Sequence, residues 1–344
     1  MTTPLFQTSF LADTLDMTCS NDPVSVTTSA GVTIKRWERG VIEVLPSSAR
    51  ATDKHVLVSA GVHGNETAPL EMMDHWVNDI VAGKLNVGCH CLFIIAHPQA
   101  INRHTRFIET NLNRLFDAHH DAATLESTIA QRLKHYTDTF FLNTPRESRW
   151  HFDLHCSIRD SKHVSFAVSP RSRHETRHAD LMRFLSVAHI EALILSNAPS
   201  STYSWYSAEH HAAQALTIEL GKVNRLGENN LARFEAFMNA MGDVIAGQDN
   251  ESTRSPASPV VYRVTRTLMR LSEDFNFLFQ DDVPNFTSFV HGEVFGHDGE
   301  KPLMAQNEHE AIVFPNPKVA IGQRAALMVC KVTVRYERGQ IICD

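Results

Sequence analysis

The chain has 344 residues and a formal net charge of −7, with 32 basic and 39 acidic side chains mixed along it, so no basic stripe marks a nucleic-acid or membrane-surface partner. The length allows a large core split between a main and a smaller domain, yet no apolar run approaches the roughly 20 residues that cross a bilayer. The opening MTTPLFQTSFLADTLD has acids and no basic segment, which argues against a secretory signal. The six cysteines (Cys19, Cys89, Cys91, Cys156, Cys330 and Cys343) follow no framework spacing, so reduced thiols in a cytoplasm are expected.

In chain order, VSVTTSAGVTIKRWERGVIEVLP (24–46) alternates as hairpin strands do. HVLVSAG (55–61) is a short β-branched run expected to be a buried strand, and Gly61 and Gly64 let the chain turn sharply into a helix from Thr67 to about Val81. On that corner stand His63 and Glu66. An imidazole and a carboxylate this close, with a third ligand from elsewhere, form an open zinc site that keeps one position for water. After the strand-like CHCLFIIAH comes RHTRFIETNLNRLF (103–116), which carries Arg103, Arg106 and Arg114 with Asn111 and Asn113. Arginine forks grip carboxylates and stabilise oxyanions; a solvated basic loop is the plainer alternative.

A helical pattern over Ala122–Phe140 precedes WHFDLHCSIR (150–159), a strand ending in a polar turn. Residues two apart on a strand share a face, so Asp153 and His155 point one way and Leu154 and Cys156 the other. His155 is the natural third ligand, with Asp153 placed to orient a ligand. VSFAVS follows, then ALTIELGK (215–222), whose Glu219 lies at a strand end, where a carboxylate facing a metal-activated water can act as base and then acid. Three strand-then-turn segments, each ending in a ligand or an acid/base residue, match a site at the carboxyl edge of a parallel sheet. A helix is expected over Glu228–Ile245. The His119-His120 and His210-His211 pairs sit in polar runs and are expected at the surface rather than on a metal. QDNESTRSPASP (248–259) is a polar linker, and the segments beyond it are strand-like with Gly and Pro between them. The expected architecture is therefore α/β, a mixed sheet with helices on both faces in residues 1–250, followed by a small all-β, barrel-like domain in 256–344.

HGNE, RFIETNLNR, DLHCSIR and TIELGK stand in an order and spacing that resembles the zinc-dependent desuccinylase/aspartoacylase group, relatives of the zinc carboxypeptidases. The resemblance runs from about His55 to the C-terminus, and a C-terminal β domain accompanies the main domain in that group. It implies one Zn2+ per chain on His63, Glu66 and His155, with Glu219 as general acid/base. It further implies that Arg106 polarises the scissile carbonyl and that Asn113 and Arg114 hold a substrate carboxylate. Within the group it is nearest to the members that cleave N-succinyl-L-glutamate to succinate and glutamate, the last step of arginine catabolism through the succinyltransferase route. The implied partner is thus a small anionic N-acyl amino acid in the cytoplasm. Arg159, just past the DLH turn, suits a substrate with an extra carboxylate, and Lys222 is a further candidate; Ser157 stands where a small residue such as Ala is expected. Another N-acyl amino acid, a peptide C-terminus, or a non-catalytic zinc- or ligand-binding role remain alternatives, and His-Glu-His donors also accept cobalt or manganese. Oligomeric state is not legible.

Overall fold

A computed structural model describes residues 4–117, 123–248 and 257–343. The N-terminal part contains β1 (Val24–Thr27), β2 (Thr33–Glu38), β3 (Val41–Leu45), β4 (His55–Ala60), β5 (His90–Ile95), β6 (Arg149–Ser157), β7 (Ser165–Ser169), β8 (Ala192–Leu195) and β9 (Gln214–Lys222). Its helices are α1 (Phe10–Leu15), α2 (Ala68–Val81), α3 (Pro98–Asn102), α4 (Leu125–Phe140), α5 (Ala179–Val187), α6 (Tyr203–His211) and α7 (Glu235–Ile245). Beyond the described gap come β10 (Val260–Met269), β11 (Phe275–Phe277), β12 (Thr287–Phe289), β13 (Val294–Asp298), β14 (Lys301–Met304), β15 (Glu310–Val313), β16 (Arg324–Lys331), β17 (Val334–Glu337) and β18 (Gln340–Cys343).

Thirteen strands join in one mixed sheet, ordered β1-β2-β3-β5-β4-β6-β9-β7-β8-β10-β16-β15-β12. At its centre β4 is parallel to β5 and β6, and β6 to β9, so the carboxyl ends of β4, β6 and β9 meet at one edge. Side-chain alternation sorts these strands onto two faces. Val56, Val58, Ala60, Trp150, Phe152, Leu154, Leu216, Ile218 and Leu220 share a core with α2, α5 and α7. On the opposite face Leu57, Leu92 and Ile94 pack with Leu112 and Phe116, with α4 and with α6. That second face also carries the polar residues Ser59, His151, Asp153, His155 and Glu219, all buried. Polarity is thus confined to one side of the three central strands, under α6 and the segment that follows α3.

Two local features set up the edge. Pro69 lies in the first turn of α2 and Glu71 adds a negative charge there, both suited to a helix start. Gly64 cannot be replaced without movement, because a Cβ there would fall 2.2 Å from the carbonyl carbon of Ala100. The turn after β4 is therefore pressed against the backbone of α3.

The expected α/β sheet with helices on both faces is present, and so is the β-rich C-terminal part. Strand β10 pairs in parallel with β8, so the main sheet runs on into the C-terminal segment. Phe166 and Ile194 of the first part share a core with Tyr262, Phe286, Val313 and Val329 of the second. A separate three-stranded sheet, β11-β13-β14, closes over Phe275, Phe289, Phe295 and Met328. The terminal hairpin β17–β18 returns to the first part, where the Ile341 N–H donates to the Arg177 carbonyl at 2.7 Å. No described helix is long and apolar enough to cross a membrane.

Some element boundaries differ from expectation. The last helix begins at Glu235 rather than Glu228, after a single 3-10 turn at Leu231–Phe234. The Asn229 side chain donates to Thr67 Oγ1 at 2.9 Å and Glu71 Oε1 at 2.8 Å, which ties this stretch to α2 as a loop. Ala122, the expected start of the helix that ends at Phe140, lies outside the described residues, as do His119, His120 and most of the 248–259 linker with the 250/256 boundary.

Candidate metal centre and its arginine rim

Glu66 is the hub. Its Oε1 lies 2.9 Å from His63 Nδ1 and its Oε2 lies 2.8 Å from His155 Nδ1. The second nitrogen of each ring is already held: His63 Nε2 faces Asn111 Oδ1 at 3.0 Å, and His155 Nε2 faces Asp153 Oδ2 at 2.9 Å. Both imidazoles therefore aim Nδ1 inward, with an oxygen acceptor behind to fix the ring, which is how ligating histidines are held. Ligand atoms of His63, Glu66 and His155 all lie within 4.8 Å of one another, the one His/Cys/Asp/Glu group among the described residues that could hold a metal ion. Two imidazole nitrogens and a carboxylate are donors that zinc accepts.

Behind His155 the polar chain continues. Ser59 Oγ donates to Asp153 Oδ1 at 2.6 Å and lies 2.9 Å from His151 Nε2, whose Nδ1 is 2.7 Å from Ser207 Oγ. Every link is buried, so the orientation of His155 is backed by the sheet and α6.

The electrostatics divide the hub. Burial, with Arg106 beside it, lowers His63 to about 4, which keeps it neutral. Burial works against the charged form of His155, but Asp153 and Glu66 outweigh it and raise this ring well above its usual value. Burial alone would raise Glu66, yet His63, His155 and Arg106 hold it well below the usual carboxylate range.

Glu219 is different. It lies toward the carboxyl end of β9, directly across from His155 in the β6–β9 register, and its one hydrogen bond among the described residues comes from Ser157 Oγ at 3.2 Å. Burial and the charge of Glu66 push it up to about 7. A carboxyl poised there can take and return a proton at neutral pH.

The 103–116 stretch leaves α3 and crosses above these groups. Arg106 Nη1 donates to Glu66 Oε1 at 2.6 Å. Asn113 is buried; its Nδ2 lies 3.5 Å from His155 Nε2, and its Oδ1 accepts the Tyr203 N–H at 2.9 Å. Arg114 Nη1 donates to the carbonyl of Asn113 at 2.7 Å, and burial with the nearby charges of Arg324 and Arg106 pulls it down to about 9. Arg103 is exposed and makes no side-chain contact with the centre. Arg159 has a buried Nη1 with no hydrogen-bond partner among the described residues, and the charges of Asp281 and Asp282 act on it. Lys222 is paired with Asp160 at 3.0 Å. His210 is exposed, and His211 lies 2.8 Å from Asp138 Oδ1.

Two participants escaped the motif reading. Glu126, fully buried in the first turn of α4, accepts the N–H groups of Ile108 at 2.7 Å, Glu109 at 3.1 Å and Thr110 at 3.3 Å, and faces His97 Nε2 at 3.1 Å. It thereby anchors the arginine segment. Arg324, at the start of β16, places a third guanidinium in the electrostatic field of Arg106 and Glu219. An acid in the first turn of a helix was the only signal for Glu126, and Arg324 had none.

Residues 52–245 match the profile of the succinylglutamate desuccinylase/aspartoacylase catalytic domain. The chain belongs to that family. Residues 257–332 match the AstE/AspA barrel-sandwich hybrid domain. The chain is 59% identical to the succinylglutamate desuccinylase of Vibrio cholerae serotype O1 over 344 residues, the whole of both chains. The solved structure of the Vibrio parahaemolyticus succinylglutamate desuccinylase is 54% identical, with a TM-score of 0.96 over 99% of this chain and 100% of that one. The Chromobacterium violaceum counterpart is 30% identical with a TM-score of 0.80, covering 94% of this chain and 98% of the other. The family resemblance read from HGNE, RFIETNLNR, DLHCSIR and TIELGK is thereby established for the whole length of the chain.

Proposed function

We propose that the protein is a zinc-dependent amide hydrolase that cleaves N-succinyl-L-glutamate to succinate and glutamate, with residues 1–250 as its catalytic unit and 256–344 as a β-rich companion. The observation that carries this reading is a proton-poised Glu219 beside three convergent metal donors, under an excess of arginine. His63, Glu66 and His155 would hold one Zn2+, which when bound supplies Lewis acidity and a water that ionises near neutral pH.

The chain's own residues supply the rest. Asn111 and Asp153 keep both rings aimed inward through their Nε2 atoms. Glu219 accepts a proton from the attacking water and returns it to the departing amine nitrogen, so water's oxygen ends on the acyl carbon as the C–N bond breaks. Arg106 stands at the rim, where its guanidinium offsets charge developing on the carbonyl oxygen. Asn113 and Arg114 grip a substrate carboxylate, with Arg159 as a candidate for another. N-succinyl-glutamate carries three carboxylates, which matches an arginine-rich pocket in a chain of net negative charge. The relatives named above carry the same substrate in their names, and the reaction would close the succinyltransferase route of arginine breakdown in the cytoplasm.

The test is release of glutamate and succinate from N-succinyl-glutamate, with and without a chelator, beside N-acetyl-aspartate. Chelator-sensitive release from the succinyl substrate is expected. Release from N-acetyl-aspartate instead moves the specificity to an aspartoacylase-like deacylase, and release from neither by zinc-loaded protein overturns the reading.

A further inference from the structure

Arg324 has no task in the chemistry just described, and its position is unusual. It begins β16, opposite Met269, in the C-terminal segment. Its route to the site can be followed through the packing. Glu219 and Phe166 are register partners on the antiparallel strands β9 and β7, so their side chains leave the sheet on the same face. The Phe166 ring lies 5.6 Å from the ring of Phe314, and the Arg324 guanidinium sits over Phe314 at 6.0 Å. Phe314 directly follows β15 in the left-handed region, at φ 55°, a backbone setting that non-glycine residues rarely take. The C-terminal β segment thus delivers a guanidinium to the face of the sheet that carries Glu219.

There Arg324 has no hydrogen bond or ion pair with any described residue, while Arg106, Arg114 and Glu219 stand within its electrostatic reach. Two other arginines in the same segment are paired: Arg266 binds Glu310 and the Met304 carbonyl, and Arg270 binds Glu273 and the carbonyls of Ser272 and Val319. Arg106 is paired with Glu66, but three guanidinium groups around one carboxyl repel one another, and a carboxylate brought by a ligand relieves that repulsion. Two separate elements, the 103–116 segment through Arg114 and β16 through Arg324, therefore each bring toward Glu219 a guanidinium with no carboxylate partner among the described residues. An N-acyl amino acid offers carboxylates on both halves of its scissile bond only when the acyl chain itself ends in one.

We propose that Arg324 determines acyl-group specificity by gripping the terminal carboxylate of a dicarboxylic acyl chain, while Asn113 and Arg114 hold the amino-acid half. This rests on the hydrolase reading above. The test compares kcat/KM of the zinc-loaded full chain, R324M and R324K on three substrates. N-succinyl-glutamate is the reference; N-butyryl-glutamate replaces the acyl carboxylate by a methyl group; N-succinyl-norvaline does the same to the glutamate side chain. In R324M the preference for succinyl over butyryl is expected to fall about 100-fold, as for loss of a charge-assisted pair. The preference for glutamate over norvaline is expected to stay, and R324K to recover part of the first ratio. An unchanged succinyl-to-butyryl ratio, or collapse of the glutamate-to-norvaline ratio instead, overturns the assignment. A native protein that releases nothing from N-succinyl-glutamate overturns the hydrolase reading itself, which is a different result from either.

Discussion

Glu310 in the C-terminal segment and Glu219 at the end of β9 are both shielded from water and both have arginines nearby, yet their surroundings differ. Glu310 receives Arg266 at 2.9 Å, Thr265 Oγ1 at 2.7 Å, the Gln306 N–H at 2.9 Å and Asn307 Nδ2 at 3.2 Å. Burial opposes its charge, but these partners outweigh burial and hold it below the usual carboxylate range. Glu219 has a single donor, Ser157, and the neighbouring charge of Glu66 adds to burial in pushing it up to about 7. One carboxylate is completed by its own fold; the other is held in a state that only chemistry explains, as expected where pKa values are pushed away from their ordinary range at a functional site. The arginines divide the same way: Arg266 is paired with Glu310, while Arg324 has no hydrogen bond or ion pair among the described residues.

Changing each carboxylate to an amide should expose this difference. Glu219→Gln is expected to lower kcat about 10³-fold, the scale of a lost general acid/base, with zinc content by elemental analysis unchanged. Its effect on stability runs the other way. A carboxyl raised from 4.5 to about 7 in the fold binds its proton more tightly folded than unfolded, so its stabilising contribution is present below about 4.5 and is lost as pH rises through 7. In metal-stripped protein at pH 8 the amide is therefore expected to raise unfolding stability by on the order of 2 kcal/mol in urea titrations, with the gain vanishing near pH 4. Loss of stability at pH 8 would place Glu219 in the same class as Glu310.

Glu310→Gln is expected to do the opposite, costing about 3 kcal/mol at pH 7 by leaving Arg266 without its buried partner. Because Glu310 is lowered in the fold, its contribution is present above the unfolded value of 4.5 and is lost as pH falls below it. The gap between native and variant should accordingly narrow on acidification. Thermal unfolding at pH 7 and pH 4 measures it; a gap that widens in acid removes Glu310 from the role of a completed structural carboxylate.

The parts of this design that were legible in the sequence are those whose partners lie close along the chain. His63 and Glu66 share one turn, Asp153 and His155 share one strand face, and the β-branched runs around them announced their strands by alternation. The joining of those strand ends into one edge followed from parallel pairing. What escaped was set by distance in sequence. Glu126 meets the Ile108–Thr110 amides only because α4 folds back over them, and Arg324 reaches Glu219 only through Phe314 and Phe166. The run of the main sheet through β8 into β10 was likewise hidden, since a polar linker reads as a boundary whether or not the strands beyond it pair across. The late start of α7 has the same origin, a tertiary bond from Asn229 to α2 overriding local pattern.

Glu126 offers the finest test of how an internally completed carboxylate serves an uncompleted site. It accepts three backbone N–H groups, faces His97 and has no arginine or lysine partner among the described residues, so its charge is used to hold the segment that carries Arg106, Asn111, Asn113 and Arg114. Replacing it by Gln keeps one acceptor oxygen and turns an NH2 group toward amides that need an acceptor, so part of the Ile108–Thr110 clamp must open. The fold loses little core by this change, since volume is preserved. On the proposed binding role of Asn113 and Arg114, their hold on a substrate carboxylate becomes less ordered, and the expected result is a rise in KM of about 10-fold with kcat within about threefold of native. The pH profile of kcat should stay as it is, because Glu219 takes its hydrogen bond from Ser157 on β6; zinc content should fall only if the Asn111 contact that holds His63 loosens with the segment. A fall in kcat with KM unchanged would mean that Glu126 acts on the transition state through Arg106 rather than on binding through Arg114, and would shift the role of the clamp from substrate capture to carbonyl polarisation.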